Sequence, residues 1–126
     1  MIRELTITAA LLCGATVPAR CDPPPPHCDG LIPLLAMYAP ASGWDTARMS
    51  RIAWRESRCQ PNAYNRGGGA AGLFQITPVN HRYLRVALGE WVDRWTLLDP
   101  IQNVRAAAAL FDYWSAHGSG YQPWSL

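Results

Sequence analysis

The chain carries little charge, and none of it is concentrated. Charged residues make up 16% of its 126 positions, the net charge is +2, and no run of Lys or Arg forms a basic stripe. Those absences exclude an electrostatic footprint for nucleic acid, while leaving room for an anionic polymer. Past the N-terminal leader no apolar stretch could cross a bilayer, so stable membrane insertion is not expected. Internal repeats are absent, which excludes a solenoid. Cys21, His27, Cys28 and Cys59 have no second spaced pair beside them, so the sequence predicts no metal centre and no cofactor. What is present fits one folded domain: 49% hydrophobic residues and a length that allows a single core.

Aromatics are plentiful, with six Trp and five Tyr. Some must fill the core, but flat aromatic walls also line carbohydrate clefts. At the N-terminus, Met1-Ile2-Arg3-Glu4 precedes an apolar run from Leu5 to Val17, and Val17-Pro18-Ala19 offers small residues at a cleavage site. Residues 1–19 therefore read as a signal peptide. The competing reading is a short helix or an unstructured leader. Residues 20–28 form a proline-rich lead-in, extended and poorly packed, and residues 29–126 form the domain.

Removing the leader removes Cys13 and leaves three cysteines. Cys28 precedes the first helix of the domain and Cys59 ends the second, so a Cys28–Cys59 disulfide in an exported chain ranks first. It would close a loop of about thirty residues and contribute roughly 3–4 kcal/mol. Cys21–Cys28 ranks second, because it must loop around the stiff Pro23 to Pro26.

Helical spacing recurs along the domain. Asp29 can cap a helix over Leu31 to Tyr38, which Pro40 to Gly43 ends. Asp45 caps a helix over Thr46 to Arg58 that Pro61 stops. Residues 62–72 are rich in turn formers, with Gly67-Gly68-Gly69 at the tip, and predict a small hairpin whose return limb runs extended through Phe74 and Ile76. A helix over Arg82 to Trp95 would bury Leu84, Ala87, Leu88, Trp91 and Trp95, although Gly89 can divide it. Asp99-Pro100-Ile101-Gln102 starts a helix to Ala116 with Ile101, Val104, Ala108 and Phe111 inward. Gly118 and Gly120 end it, and the tail Tyr121 to Trp124 folds back onto the domain.

One position breaks the apolar pattern. Met49, Ile52 and Ala53 mark one face of the second helix, and the next position on that face is Glu56. A carboxylate turned towards a core is desolvated, and should hold its proton more tightly than the reference value of about 4.3. Such a group can act as a general acid. Gly72-Leu73-Phe74-Gln75 follows, a glycine-led segment ending in an amide suited to an acetamido sugar.

Trp54-Arg55-Glu56-Ser57-Arg58, then Gly72 to Ile76, then Pro100 to Leu110 with Asn103 facing the cleft helix, resemble the lysozyme-like transglycosylases of the soluble lytic transglycosylase and goose-type lysozyme fold. The closing Gly120-Tyr121-Gln122-Pro123-Trp124 resembles the end of secreted actinobacterial and phage members. The resemblance covers about residues 28–126. It implies a mainly α, α+β lysozyme-like fold with a small hairpin beside an active-site cleft. It also implies Glu56 as the catalytic acid, with substrate contacts from Ser57, Gly72, Leu73, Phe74, Gln75, Tyr121 and Trp124. The family's Ala-Tyr-Asn motif is absent, with Tyr113 and Tyr121 as stand-ins, and Ala107 replaces a frequent glycine. Trp54, Trp91 and Trp95 are assigned to the core, and His27, His81 and His117 carry no chemistry.

A hydrolase would want a second carboxylate across the bond, and the loop Asn62 to Ala71 contains neither Asp nor Glu. The sequence therefore favours a one-carboxylate reaction. In the resembling enzymes the acetamido group stabilises the sugar cation, and the same glutamate takes a proton from the C6 hydroxyl of N-acetylmuramic acid. The expectation is a monomeric peptidoglycan lytic transglycosylase, secreted and cell-wall associated or carried on a virion, acting on glycan strands. The alternatives are a water-using muramidase and a catalytically silent cell-wall binding module. A zinc or redox domain is the remaining reading.

Overall fold

The computed structural model describes residues 26–125. The signal-peptide reading of residues 1–19, most of the lead-in over 20–28, and Cys13 and Cys21 lie outside the described residues.

Four helices build the described chain: α1 (Ile32–Ser42), α2 (Thr46–Ser57), α3 (His81–Leu88) and α4 (Pro100–Ala116). Helix α1 packs on α2 and α4, and α3 packs on α4, so α4 is the common support. Its Ala106, Ala107 and Ala108 are buried, and such small side chains allow close approach. Leu35, Met49, Phe74, Leu84, Leu97 and Val104 form the fully buried centre.

Helix α1 departs from expectation at both ends. It follows a 3-10 turn over Asp29–Leu31, and Asp29 does not cap it; its carboxylate lies 2.5 Å from His27 Nε2 instead. The helix continues through Pro40 to Ser42, because a proline in the last turn removes only one backbone bond. Gly43, at φ +80°, ends it. Asp45 Oδ1 caps α2 as predicted, accepting from Ala47 N at 2.9 Å and Arg48 N at 3.2 Å. Two left-handed residues, Arg58 and Cys59, stop α2 before Pro61 is reached. The Cys28–Cys59 disulfide joins the entry to α1 with that exit, its Cα atoms 5.6 Å apart. Beside it the buried Ser50 hydroxyl accepts from Cys28 N and donates to Cys28 O.

The expected hairpin reduces to two isolated bridges, Tyr64 with Ala71 and Ala71 with Ile76, and no strand forms among the described residues. Gly72 at φ +80° and Gln75 at φ +49° curl the return limb into a tight turn. Farther on, Gly89 adopts φ +69° and ends α3, so the helix predicted over Arg82 to Trp95 stops halfway. The chain then leaves helical register. Trp91 and Trp95 are 63% and 65% exposed, which corrects their assignment to the core. Leu97, in the 3-10 turn Thr96–Leu98, takes the buried place. Asp99 Oδ1 caps α4, accepting from Ile101 N at 2.8 Å. Val104, Ala108 and Phe111 are buried as predicted, but Ile101 is exposed. Ala108 shares the face of Ile101 two turns on, so the exposure comes from the helix end, not from the face.

Candidate active site

Glu56 stands in the last turn of α2, where the buried Met49, Ile52 and Ala53 fix the helix orientation. Glu56, expected to turn towards the core, lies at its edge with an arginine partner. Its side chain is 23% exposed, and Oε2 accepts from Arg55 Nε at 3.3 Å and Nη2 at 3.0 Å. The preceding residue thus curls back over the acid at the edge of the core.

Arg55 also ties the acid to the rest of the site. Its Nη2 donates to the carbonyl of Trp124. Trp124 Nε1 in turn donates to Phe74 O at 2.9 Å, and the two rings lie 5.6 Å apart. One connected path therefore runs from Glu56 through the C-terminal tail to the Gly72–Gln75 turn. Tyr121 anchors the same tail. Its hydroxyl accepts from Asp45 N at 2.8 Å, its ring meets Phe111 edge-on at 4.9 Å, and the Arg48 guanidinium lies 3.7 Å above it. Tyr121 and Trp124 line a cavity of about 320 Å³ with Arg48, Ile52, Arg55 and Ser125.

The glycine-led turn is fixed by one buried amide. Asn103 Oδ1 accepts from Phe74 N at 2.8 Å, and its Nδ2 donates to the carbonyls of Ala71 at 3.0 Å and Leu97 at 2.9 Å. This buried polar residue on α4 satisfies itself by holding the turn. Gly72 is required beneath it, since a methyl group there would lie 2.1 Å from Asn103 Nδ2. Gln75 is half-buried, and its Nε2 donates to Ala63 O at 3.2 Å and Gly72 O at 3.0 Å. Both partners are acceptors, so the amide orientation is fixed and Oε1 faces away from them.

The remaining expected contacts fall elsewhere. Leu73 and Phe74 are buried in the core, so this segment can meet a ligand through its backbone and Gln75. Ser57 is buried and donates to Ala53 O at 3.0 Å within α2. Arg55 and Arg58 both flank Glu56 closely enough in sequence to pair with it if it is partly exposed, and the structure shows Arg55 as the partner. Sequence reasoning missed Ser50, which nothing in the pattern marks. Proton affinity is displaced at His81 and at Asp93. Burial, reinforced by Arg85, holds His81 below its ordinary 6.5, with Asp93 opposing. The hydrogen bond from Thr96 N, then that from the Trp91 indole, holds the Asp93 carboxyl below its usual range. Among the described residues no group of three or more His, Cys, Asp or Glu could hold a metal ion.

A mainly helical domain with one glutamate tied to a glycine-led turn and an aromatic tail has the form of a lysozyme-like, glycan-cleaving domain. The family model described as the transglycosylase SLT domain matches residues 34–122, and the chain belongs to that family. The family consists of peptidoglycan lytic transglycosylases. A search of curated proteins returns no match to this chain. Action on peptidoglycan and the Cys28–Cys59 disulfide fit an extracellular or cell-wall setting. No described helix is long and apolar enough to cross a membrane.

Proposed function

We propose that the protein cleaves the β-1,4 bond between N-acetylmuramic acid and N-acetylglucosamine with Glu56 as its single acid and base. The observation that carries this reading is the fate of the other described carboxylates. Asp45 and Asp99 cap helices, Asp93 accepts from Thr96 N, Glu90 pairs with Arg105, and Asp29 pairs with His27. Asp112 is exposed on α4. Glu56 is the acid joined to the motif segments, which supports a reaction needing one carboxylate.

Arg55 occupies Oε2, so Oε1 carries the transferred proton. Glu56 protonates the glycosidic oxygen as the C1–O bond breaks, and the substrate's acetamido oxygen stabilises C1. Glu56, now a carboxylate, takes the C6 hydroxyl proton as that oxygen bonds to C1. The products are a 1,6-anhydro-N-acetylmuramic acid end and a free N-acetylglucosamine hydroxyl, with no water consumed. Gln75 Oε1 and the backbone of the Gly72 turn serve to hold the acetamido sugar, while Ser57 stiffens the last turn of α2 behind the acid. Tyr121 and Trp124 supply a wall of the groove. The protein is secreted by the leader over residues 1–19, acts as a monomer and works on the wall or from a virion.

Glu56→Gln keeps size and packing but removes the proton. Its lytic activity on purified sacculi falls about 10²-fold or more, with the melting temperature close to wild type. A variant that clears sacculi as fast as wild type ends the proposal.

A further inference from the structure

A second and larger cavity, of about 600 Å³, is lined by Asn62, Tyr64, Arg66, Arg94, Trp95 and Leu98. Its lining combines two guanidiniums with two aromatic faces and contains no carboxylate. Arg94 is held in place: its Nη1 donates to Tyr64 Oη at 2.9 Å, and its guanidinium lies 5.1 Å from the Tyr64 ring and 4.6 Å from the Trp95 ring. Contact through its face leaves other N–H donors of the fork for a ligand. Neither Arg66 nor Arg94 has an ion-pair partner among the described residues. Asp93, next to Arg94, is engaged by Thr96 N and the Trp91 indole. Trp95 meanwhile leaves 65% of its surface in solvent, unusual for so large an apolar group.

We propose that this cavity binds the carboxylate-bearing peptide attached to a peptidoglycan glycan strand. The inference rests on the peptidoglycan reading above and names the part of that substrate the cavity takes. A neutral sugar would leave both guanidiniums unused, and a free inorganic anion would leave the indole face unused. A peptide carrying carboxylates and apolar side chains uses both. The cavity is also coupled to the candidate active site. Ala63, flanked by the lining residues Asn62 and Tyr64, accepts the hydrogen bond from Gln75 Nε2. The stretch of chain that lines the cavity is therefore hydrogen-bonded to Gln75.

Binding tests this independently of cleavage. The full chain carrying Glu56→Gln is titrated calorimetrically with a muramyl-peptide glycan fragment, and with the same fragment after enzymatic removal of its peptide. The peptide-bearing fragment binds about tenfold more tightly, a preference that shrinks as salt is raised. Adding Arg66→Gln and Arg94→Gln together abolishes the preference. Arg66→Gln alone, at an exposed residue, lowers it about threefold. Equal affinity for the two fragments, or a preference that survives the double change, overturns the assignment. A preference found where the wild-type protein produces no anhydro ends would retire the cleavage reading and keep this one, and the reverse result would retire only this one.

Discussion

At Gly72 a methyl group would lie 2.1 Å from Asn103 Nδ2 and 2.2 Å from the Leu97 carbonyl oxygen, on a backbone already at φ +80°. Neither neighbour can withdraw, because Asn103 is itself held by three hydrogen bonds and the other atom is main chain. Gly72→Ala is therefore expected to cost about 3 kcal/mol in urea denaturation, through overpacking and left-handed strain together. Activity is lost with the turn that carries Gln75. His81 gives a second test at the same scale. Its Nε2 is buried without a hydrogen-bond partner among the described residues, and its folded proton affinity lies below 6.5. As pH falls, the unfolded chain takes up the proton first, so this contribution is complete above about pH 6.5 and is lost as pH drops through the lower folded value. The melting temperature should decline over that window, and His81→Gln should flatten the decline. An identical pH profile for both proteins would contradict the assignment. At this scale Glu56 stands out in the sequence because it interrupts an apolar helix face, and Gly72 because it leads the Gly-Leu-Phe-Gln segment. The sequence left open whether Arg55 or Arg58 covers the acid, because an arginine on a helix edge can turn either way.

Among the elements, α2 carries the acid, and both its ends are fixed by other parts of the chain. Its start is held by Asp45 and the Tyr121 hydroxyl, its exit by the disulfide to Cys28. Replacing Cys28 and Cys59 together by Ser is expected to lower stability by about 3–4 kcal/mol. Denaturation of oxidised wild type against the double variant measures this, and a difference near zero would mean the bridge adds nothing. The elements with explicit start signals were legible: Asp45 and Asp99-Pro100 mark α2 and α4 because a cap and a proline act within one turn. The hairpin was not. Gln75 at φ +49° is a tertiary outcome, enforced where Asn103 grips Phe74 N from 29 residues away. Trp91 and Trp95 have helical spacing with Leu84 and Leu88, yet one left-handed glycine removes them from that face.

For the whole molecule, the features that define the site come from three distant stretches of chain. The glutamate helix, the glycine-led turn and the tail converge because Arg55, Trp124 and Phe74 bond in series. Their order and spacing were readable from the sequence, but the bonds that join them were not, since each depends on how α4 supports the turn. The family's Ala-Tyr-Asn motif is absent, and of its two stand-ins Tyr121 anchors the start of α2 while Tyr113 stacks on His117. In the proposed reaction such a domain brings Glu56 to the glycan with no acidic companion among the described residues. The most direct test is mass spectrometry of the ends released from purified peptidoglycan by the wild-type protein. The account predicts 1,6-anhydro-N-acetylmuramic acid ends, 18 Da lighter than the hydrolysed form by the mass of one water (about 18 Da). Reducing ends alone would contradict it.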